Sequence, residues 1–243
     1  MGAPVFVVDR DRLVTGIVVL DGAEGHHAAT VTRLGVGEPV VLTDGAGRRA
    51  EGVVAGADRD VLLVDVRTVV DVPAPRPRFV VVQALPKGDR GEVAVETLTE
   101  VGVDVVVPWA AARCVARWRD ARGAKALARW RTTAAAAAKQ SRRTRFPEVT
   151  DLAGTRDVAA RLAAATAGVL LHEEAELPLA GLDLPADGDV VVVVGPEGGI
   201  SPEELATFGA AGASSYRLGG TVLRASTAGT AALAVLSARG RWA

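Results

Sequence analysis

At 243 residues, with 49% hydrophobic side chains and a formal net charge of −1, the chain can bury a real core as one large domain or two modest ones. No apolar run reaches the ~20 residues of a membrane helix, and the first twelve residues carry Asp9 and Asp11 where a signal peptide needs an apolar core. The lone Cys114 excludes an internal disulfide and a cysteine-based zinc cluster, so a cytoplasmic protein is expected.

Up to about Val70 the chain reads as short strands separated by turns. Phe6–Val8, Ile17–Leu20, Val40–Leu42, Gly52–Val54 and Val61–Val64 are rich in β-branched residues, and Asp44-Gly45 is a hairpin turn. One short helix is expected over Glu24–Leu34. The set predicts a small β-barrel, a shape often used to grip RNA. His26 and His27 are adjacent and point in different directions, so they read as surface or packing residues instead of metal ligands. The stretch Asp71–Pro77 has prolines at 73, 75 and 77 and cannot sit inside a sheet. It places a domain boundary between residues 72 and 73, giving domains 1–72 and 73–243.

Strand and helix then alternate, the pattern of a parallel α/β sheet. The expected elements are strand Phe79–Leu85, helix Arg90–Val101 closed by Gly102, strand Val103–Val107, an alanine-rich helix Ala124–Ser141, helix Asp157–Ala165 and strand Gly168–His172. From Arg76 to Arg145 the formal charge is +9, against −10 for the remainder. Lys139, Arg142, Arg143 and Arg145 crowd the exit of the alanine-rich helix. Cations complement a helix C-terminus, but four exceed what the dipole needs, and phosphate contact is expected.

The run Val190–Val194 lacks alternation, which predicts a central strand covered on both faces. It breaks into Gly195-Pro196-Glu197-Gly198-Gly199, after which Ser201, Pro202 and Glu204 supply an N-cap, a first helical position and a capping box. A second glycine-bearing loop, Leu218 to Thr227, leads into the apolar helix Ala228–Arg239. Ligands of open α/β sheets sit outside the carboxyl ends of the strands, so the two loops are expected to enclose one small molecule. Neither carries the GxGxxG or GxxxxGK[ST] fingerprint, which argues against dinucleotides and ATP. His172 and Glu173 suit an acid/base pair, yet without a third partner they read better as a strand end facing solvent.

Leu171-His172, Gly195–Gly199, and Leu218-Gly219 through Leu223-Arg224 together resemble the cofactor loops of the knotted SPOUT class of RNA methyltransferases. Within that class the chain resembles the bacterial 16S ribosomal RNA (uracil-N3)-methyltransferase family. Gln83-Ala84-Leu85-Pro86-Lys87-Gly88-Asp89-Arg90, Thr99-Glu100-Val101-Gly102-Val103, Arg113-Cys114, Ala138–Arg143 and Pro147-Glu148-Val149 extend the similarity over nearly the whole chain. The family commonly has arginine where this chain has Thr221 and often glutamate where it has Ser226; Arg224 is retained.

The resemblance implies an α/β fold: a SPOUT-type parallel sheet with a C-terminal trefoil knot in 73–243, behind a PUA-like RNA-binding β-barrel in 1–72. It implies a homodimer, S-adenosyl-L-methionine as cofactor, no metal, and a substrate uridine in 16S rRNA of the small ribosomal subunit. The cofactor would be held by Leu171, His172, Gly195, Pro196, Glu197, Gly198, Gly199, Leu218, Gly219, Leu223, Arg224, Ala225 and Thr227. RNA would be held by Lys87, Arg90, Arg113, Lys139, Arg142 and Arg143. Arg224 is the expected catalytic residue, stabilising negative charge on the uracil oxygens as N3 loses its proton; Glu197 reads better as a shaper of its loop. Two rivals remain: a ribose 2′-hydroxyl methyltransferase sharing the cofactor loops, and an assembly factor that keeps the fold without turnover.

Overall fold

The computed structural model describes residues 2–242, which fold as two units: the chain up to Ala74 with Ala138–Phe146, and Pro75–Ala137 with the chain from Pro147 onward.

In the first unit, β1 (Val5–Val7), β2 (Gly16–Leu20), β3 (Pro39–Thr43), β4 (Arg48–Asp58) and β5 (Val61–Asp71) form a five-stranded sheet ordered β1-β3-β4-β5-β2. β1 runs parallel to β3, and the other pairs are antiparallel. The Asp44 carboxylate forms the β3–β4 turn by accepting the N–H groups of Ala46 at 2.7 Å and Arg48 at 2.9 Å. Gly45 supplies the positive φ of 69° that such a turn requires. The β4 and β5 strands run well beyond their β-branched centres, because β4 is paired on both sides and tolerates its charged and glycine positions. Helix α1 (Gly22–His26) continues as a π-helical turn through Val31. His26 pairs with Asp60 at 2.8 Å, and His27 meets the Phe6 ring edge-on, so the two histidines have surface and packing roles.

Residues 138–146 are stitched into this unit. Lys139 Nζ donates to both oxygens of Glu24 at 2.6 and 2.8 Å, Arg145 Nη2 donates to the Val72 carbonyl at 2.7 Å, and Phe146 N–H donates to the Gly45 carbonyl at 2.8 Å.

The second unit holds a seven-stranded sheet, parallel throughout. Its strands are β6 (Arg78–Ala84), β7 (Val105–Trp109), β8 (Glu148–Val149), β9 (Ala167–Leu171), β10 (Leu177–Pro178), β11 (Asp189–Val194) and β12 (Ala213–Arg217), ordered β10-β12-β9-β11-β6-β7-β8. β11 lies between β9 and β6, and Val190 to Val194 are buried, as a strand covered on both faces requires. The helices are α2 (Arg90–Glu100), α3 (Asp120–Gln140), α4 (Thr155–Ala163), α5 (Pro202–Ala210) and α6 (Ala225–Ala238). Helix α6 packs on β6, β11 and α2. Ser201 and Glu204 close the anticipated capping box at the start of α5, with Pro202 in its first turn. The sequence implies a strand ending at the Leu218 loop but gives it no range; β12 is that strand. Its sequence Ala-Ser-Ser-Tyr-Arg is mostly polar, and pairing with β9 makes it a strand.

Candidate active site

Three strand ends build one cleft of about 290 Å³: Leu171-His172-Glu173 after β9, Gly195-Pro196-Glu197 with Gly199-Ile200 after β11, and Val222 to Ala225 after β12. Parallel strands present all their carboxyl ends on one side, and there the successive loops converge. Of the anticipated cofactor residues, Leu171, His172, Gly195, Pro196, Glu197, Gly199, Leu223, Arg224 and Ala225 line this cleft. Four do not. Gly198 faces Arg113, Leu218 packs on the core, Gly219 looks into open space, and Thr227 turns its hydroxyl to the Arg224 carbonyl at 3.2 Å. Ser226 is buried and Thr221 is exposed.

Glycine matters where a side chain would collide. A Cβ at Gly195 would lie 2.8 Å from Ile200 Cγ1, and one at Gly198 would lie 3.2 Å from Arg113 Cβ. The walls are therefore partly bare backbone, with apolar surface from Leu171, Val194, Ile200 and Leu223. Val194, Ile200, Val222 and Ala228 escaped the sequence reading, although Val194 and Ile200 flank the glycine motif directly. His172, anticipated as a cofactor residue, lines the cleft, and Glu173, read as a strand end facing solvent, lines it while remaining exposed. The His172 ring accepts the Glu174 N–H on Nδ1 at 3.2 Å, which leaves Nε2 as its protonated nitrogen in the neutral form.

Arg90, assigned from sequence to RNA, reaches the cleft and pairs with Glu197 at 3.4 Å; the Lys87 N–H donates to the same carboxylate oxygen at 3.2 Å. Burial pushes the Glu197 carboxyl upward, but its own backbone N–H, the Lys87 N–H and Arg90 outweigh burial and hold it below the usual carboxylate range. It is an anionic anchor between the Pro86–Asp89 loop and the glycine loop. Arg113 donates to the Gly198 carbonyl at 3.1 Å. Lys87, Arg90 and Arg113 thus belong to the glycine-loop neighbourhood. Lys139, Arg142 and Arg143 lie in the first unit, where Lys139 is held by Glu24, Arg142 lies beside Gly2, and the Arg143 N–H closes on the Ala138 carbonyl at 2.8 Å.

Arg224 is the N-cap residue of α6, in extended backbone, and its side chain makes no capping bond. Cations are disfavoured at a helix N-terminus, so helix stability does not explain an arginine here. Among the described residues no group of His, Cys, Asp and Glu is arranged to hold a metal ion, and no helix is long and apolar enough to cross a membrane.

Known proteins are similar to this chain in sequence and fold. Residues 73–237 match the profile of an RNA methyltransferase domain, and residues 20–66 match that of an RNA methyltransferase PUA domain. The ribosomal RNA small subunit methyltransferase E of Mycobacterium bovis is 46% identical over 247 aligned residues, covering 100% of this chain and 94% of that protein. The Bacillus subtilis protein of the same name is 27% identical over 226 residues, covering 90% and 88%. The crystal structure of the Neisseria gonorrhoeae small subunit methyltransferase E bound to S-adenosyl methionine superposes with a TM-score of 0.86 at 25% identity, covering 98% of each chain. A Legionella pneumophila methyltransferase in complex with the same cofactor gives 0.85 at 25% identity, also covering 98% of each chain. This chain belongs to the ribosomal RNA small subunit methyltransferase E family, an RNA methyltransferase domain accompanied by a PUA domain.

Proposed function

We propose that the chain transfers a methyl group from S-adenosyl-L-methionine to N3 of one uridine in 16S rRNA of the small ribosomal subunit. The observation that carries this reading is the convergence of three strand-end loops on one cleft whose glycines leave backbone exposed. The cleft suits the cofactor chemically: Leu171 and Leu223 offer apolar surface to a purine, bare backbone at Gly195 and Gly199 offers hydrogen bonds, and Glu173 and Glu197 offer negative charge to a cationic ligand. When bound, S-adenosylmethionine supplies an electrophilic methyl group; the protein has to hold, aim and prepare.

Uracil N3 carries a proton at neutral pH, and its loss spreads negative charge to the ring oxygens. Arg224, cationic at the cleft mouth, is placed to stabilise that charge, and the N–H groups at the start of α6 add to the same field. Lys87, Arg90 and Arg113 supply positive charge for phosphates, with the PUA-like unit adding grip through Arg142 and Arg143. The same reading takes the chain to be a cytoplasmic homodimer in which the apolar C-terminal helix packs against its partner.

Small subunits incubated with the protein and cofactor, digested and analysed by nucleoside mass spectrometry, should yield 3-methyluridine. A 2′-O-methylated nucleoside would overturn the target atom, and an absence of product together with no cofactor binding in calorimetry would favour the non-catalytic assembly factor. Arg224→Ala, assayed at saturating cofactor, should lose about 100-fold or more in kcat, the range seen when one preorganised charge-stabilising donor is removed. An undiminished rate would remove Arg224 from the chemistry.

A further inference from the structure

We propose that Glu204 is a positioning residue: it locks the Arg113-bearing segment onto the glycine loop and so sets where the Arg113 cation stands beside that loop. The inference rests on the reading of Arg113 as an RNA contact.

Glu204 is only 4% exposed. One of its oxygens, Oε2, does the work of the capping box, accepting the Ser201 N–H at 3.1 Å while Ser201 Oγ accepts the Glu204 N–H at 3.2 Å. That task needs a single oxygen, and glutamine performs it as well. The second oxygen points elsewhere. Oε1 accepts the Ala112 N–H at 2.8 Å and the Thr155 hydroxyl at 3.0 Å, so one buried carboxylate ties together the start of α5, the segment after β7 and the start of α4. Three donors converge on it, and it forms no ion pair among the described residues. A buried carboxylate is costly unless its lone pairs are filled. Those donors are what keep it in place, and a glutamine amide could satisfy one side only.

The segment thus held is Ala111 to Arg117. Arg117 donates to the carbonyls of Ala111 and Ala112, both at 3.3 Å, and Cys114 Sγ turns back to the Trp109 carbonyl at 3.8 Å. Arg113 lies one residue beyond the amide that Glu204 accepts. Its guanidinium donates to the Gly198 carbonyl, and the absent Cβ of Gly198 lets the two backbones close up, since a methyl there would meet Arg113 Cβ at 3.2 Å. Glu204 therefore holds both partners of this contact, the glycine loop through Ser201 and the arginine segment through Ala112.

The test is a double-mutant cycle on steady-state methylation of small subunits, with cofactor affinity by calorimetry and thermal unfolding recorded for every variant. Glu204→Gln keeps an oxygen for Ser201 but turns an amide N–H₂ toward Ala112 and Thr155. KM for the RNA substrate should rise about tenfold, the worth of one charge-assisted hydrogen bond, with cofactor affinity within about twofold and the cap preserved. Arg113→Ala should raise the same KM. The double variant should be no worse than Arg113→Ala alone, because both changes act through one group. Thr155→Val, which leaves the cap untouched, should move KM in the same direction by less and decides the matter if Glu204→Gln does not fold. Additive effects, or a fall in melting temperature with KM unchanged, overturn the inference and leave Glu204 a helix cap. If Arg113→Ala itself leaves KM unchanged, the reading of Arg113 fails and takes the inference with it. If Arg113→Ala raises KM while Glu204→Gln and Thr155→Val do not, only the inference fails.

Discussion

Gly195→Ala and Gly219→Ala separate two glycines that the sequence treats alike. A methyl group at position 195 would stand 2.8 Å from Ile200 Cγ1, and Ile200 is buried in the cleft wall. Carbon atoms attract best at about 3.5 Å, so the loop and Ile200 must part by roughly 0.7 Å. The atom struck is an inner one, which a rotamer change at the tip does not remove. Overpacking of this kind costs about 1–3 kcal/mol. Because the strained atoms form the cleft wall, the cost falls on the geometry that receives the cofactor, and at about 1.4 kcal/mol per tenfold the expected loss of affinity is roughly 5- to 150-fold. Position 219 offers the opposite case. No atom lies within 4 Å of its added methyl, and its φ lies outside the left-handed region, so affinity and stability should change by less than about 0.5 kcal/mol. Titration calorimetry with S-adenosylmethionine measures both variants, and circular-dichroism melts show whether Gly195→Ala remains folded. If a folded Gly195→Ala binds as well as Gly219→Ala, close approach at the end of β11 is not what admits the cofactor, and the reasoning about this loop is refuted.

Arg241→Ala should destabilise the second unit by about 3 kcal/mol in chemical denaturation, because the guanidinium bridges Asp104 and the carbonyls of Pro77 and Gly102 and stacks 4.0 Å from the Phe79 ring centroid while only 11% of its side chain is exposed; a change below about 0.5 kcal/mol would contradict this. Asp44 predicts an acid limb for the first unit. Burial pushes its carboxyl up, but the Ala46 and Arg48 N–H groups and the Arg10 guanidinium outweigh burial and hold it below its ordinary value. With the folded value under the unfolded value of about 3.9, its stabilisation is present above that pH and is lost as pH falls through the folded value. Melting temperature should thus drop more steeply below about pH 4 in the parent than in Asp44→Asn, and parallel slopes would dismiss the effect.

Much of the second unit was legible because its signals are local. Five valines at 190–194 can satisfy only a strand buried on both faces, and Ser201-Pro202 with Glu204 can start only a helix, so the strand, loop and helix that make the cleft follow from sixteen residues. The bounds of β12 were not legible. Ala213-Ser214-Ser215-Tyr216-Arg217 has scant β-propensity, and its strand exists through pairing with β9, a partner more than forty residues away. The allegiance of 138–146 was hidden for the same reason. The alanine-rich pattern runs unbroken through Ala137 and Ala138, whereas the groups that capture the segment, Glu24, Gly45 and Val72, lie in the first seventy-two residues.

The cations make the point most sharply. At the exit of α3 the sequence shows an excess of positive charge at a helix C-terminus, a place where cations are favoured anyway. The structure accounts for much of that excess by packing: Lys139 is held by a half-buried carboxylate 2.6 Å away and Arg145 by the carbonyl of Val72. Arg224 presents the reverse. A single arginine caps a helix at the end where its charge is unfavourable, with its side chain exposed on a cleft and no capping bond to compensate. A local rule that is obeyed needs no function to explain it, while one that is broken without local compensation is expected where a site requires it. By that measure one arginine at the start of α6 carries more functional information than the four cations at the exit of α3, although counting charge along the sequence ranks them the other way.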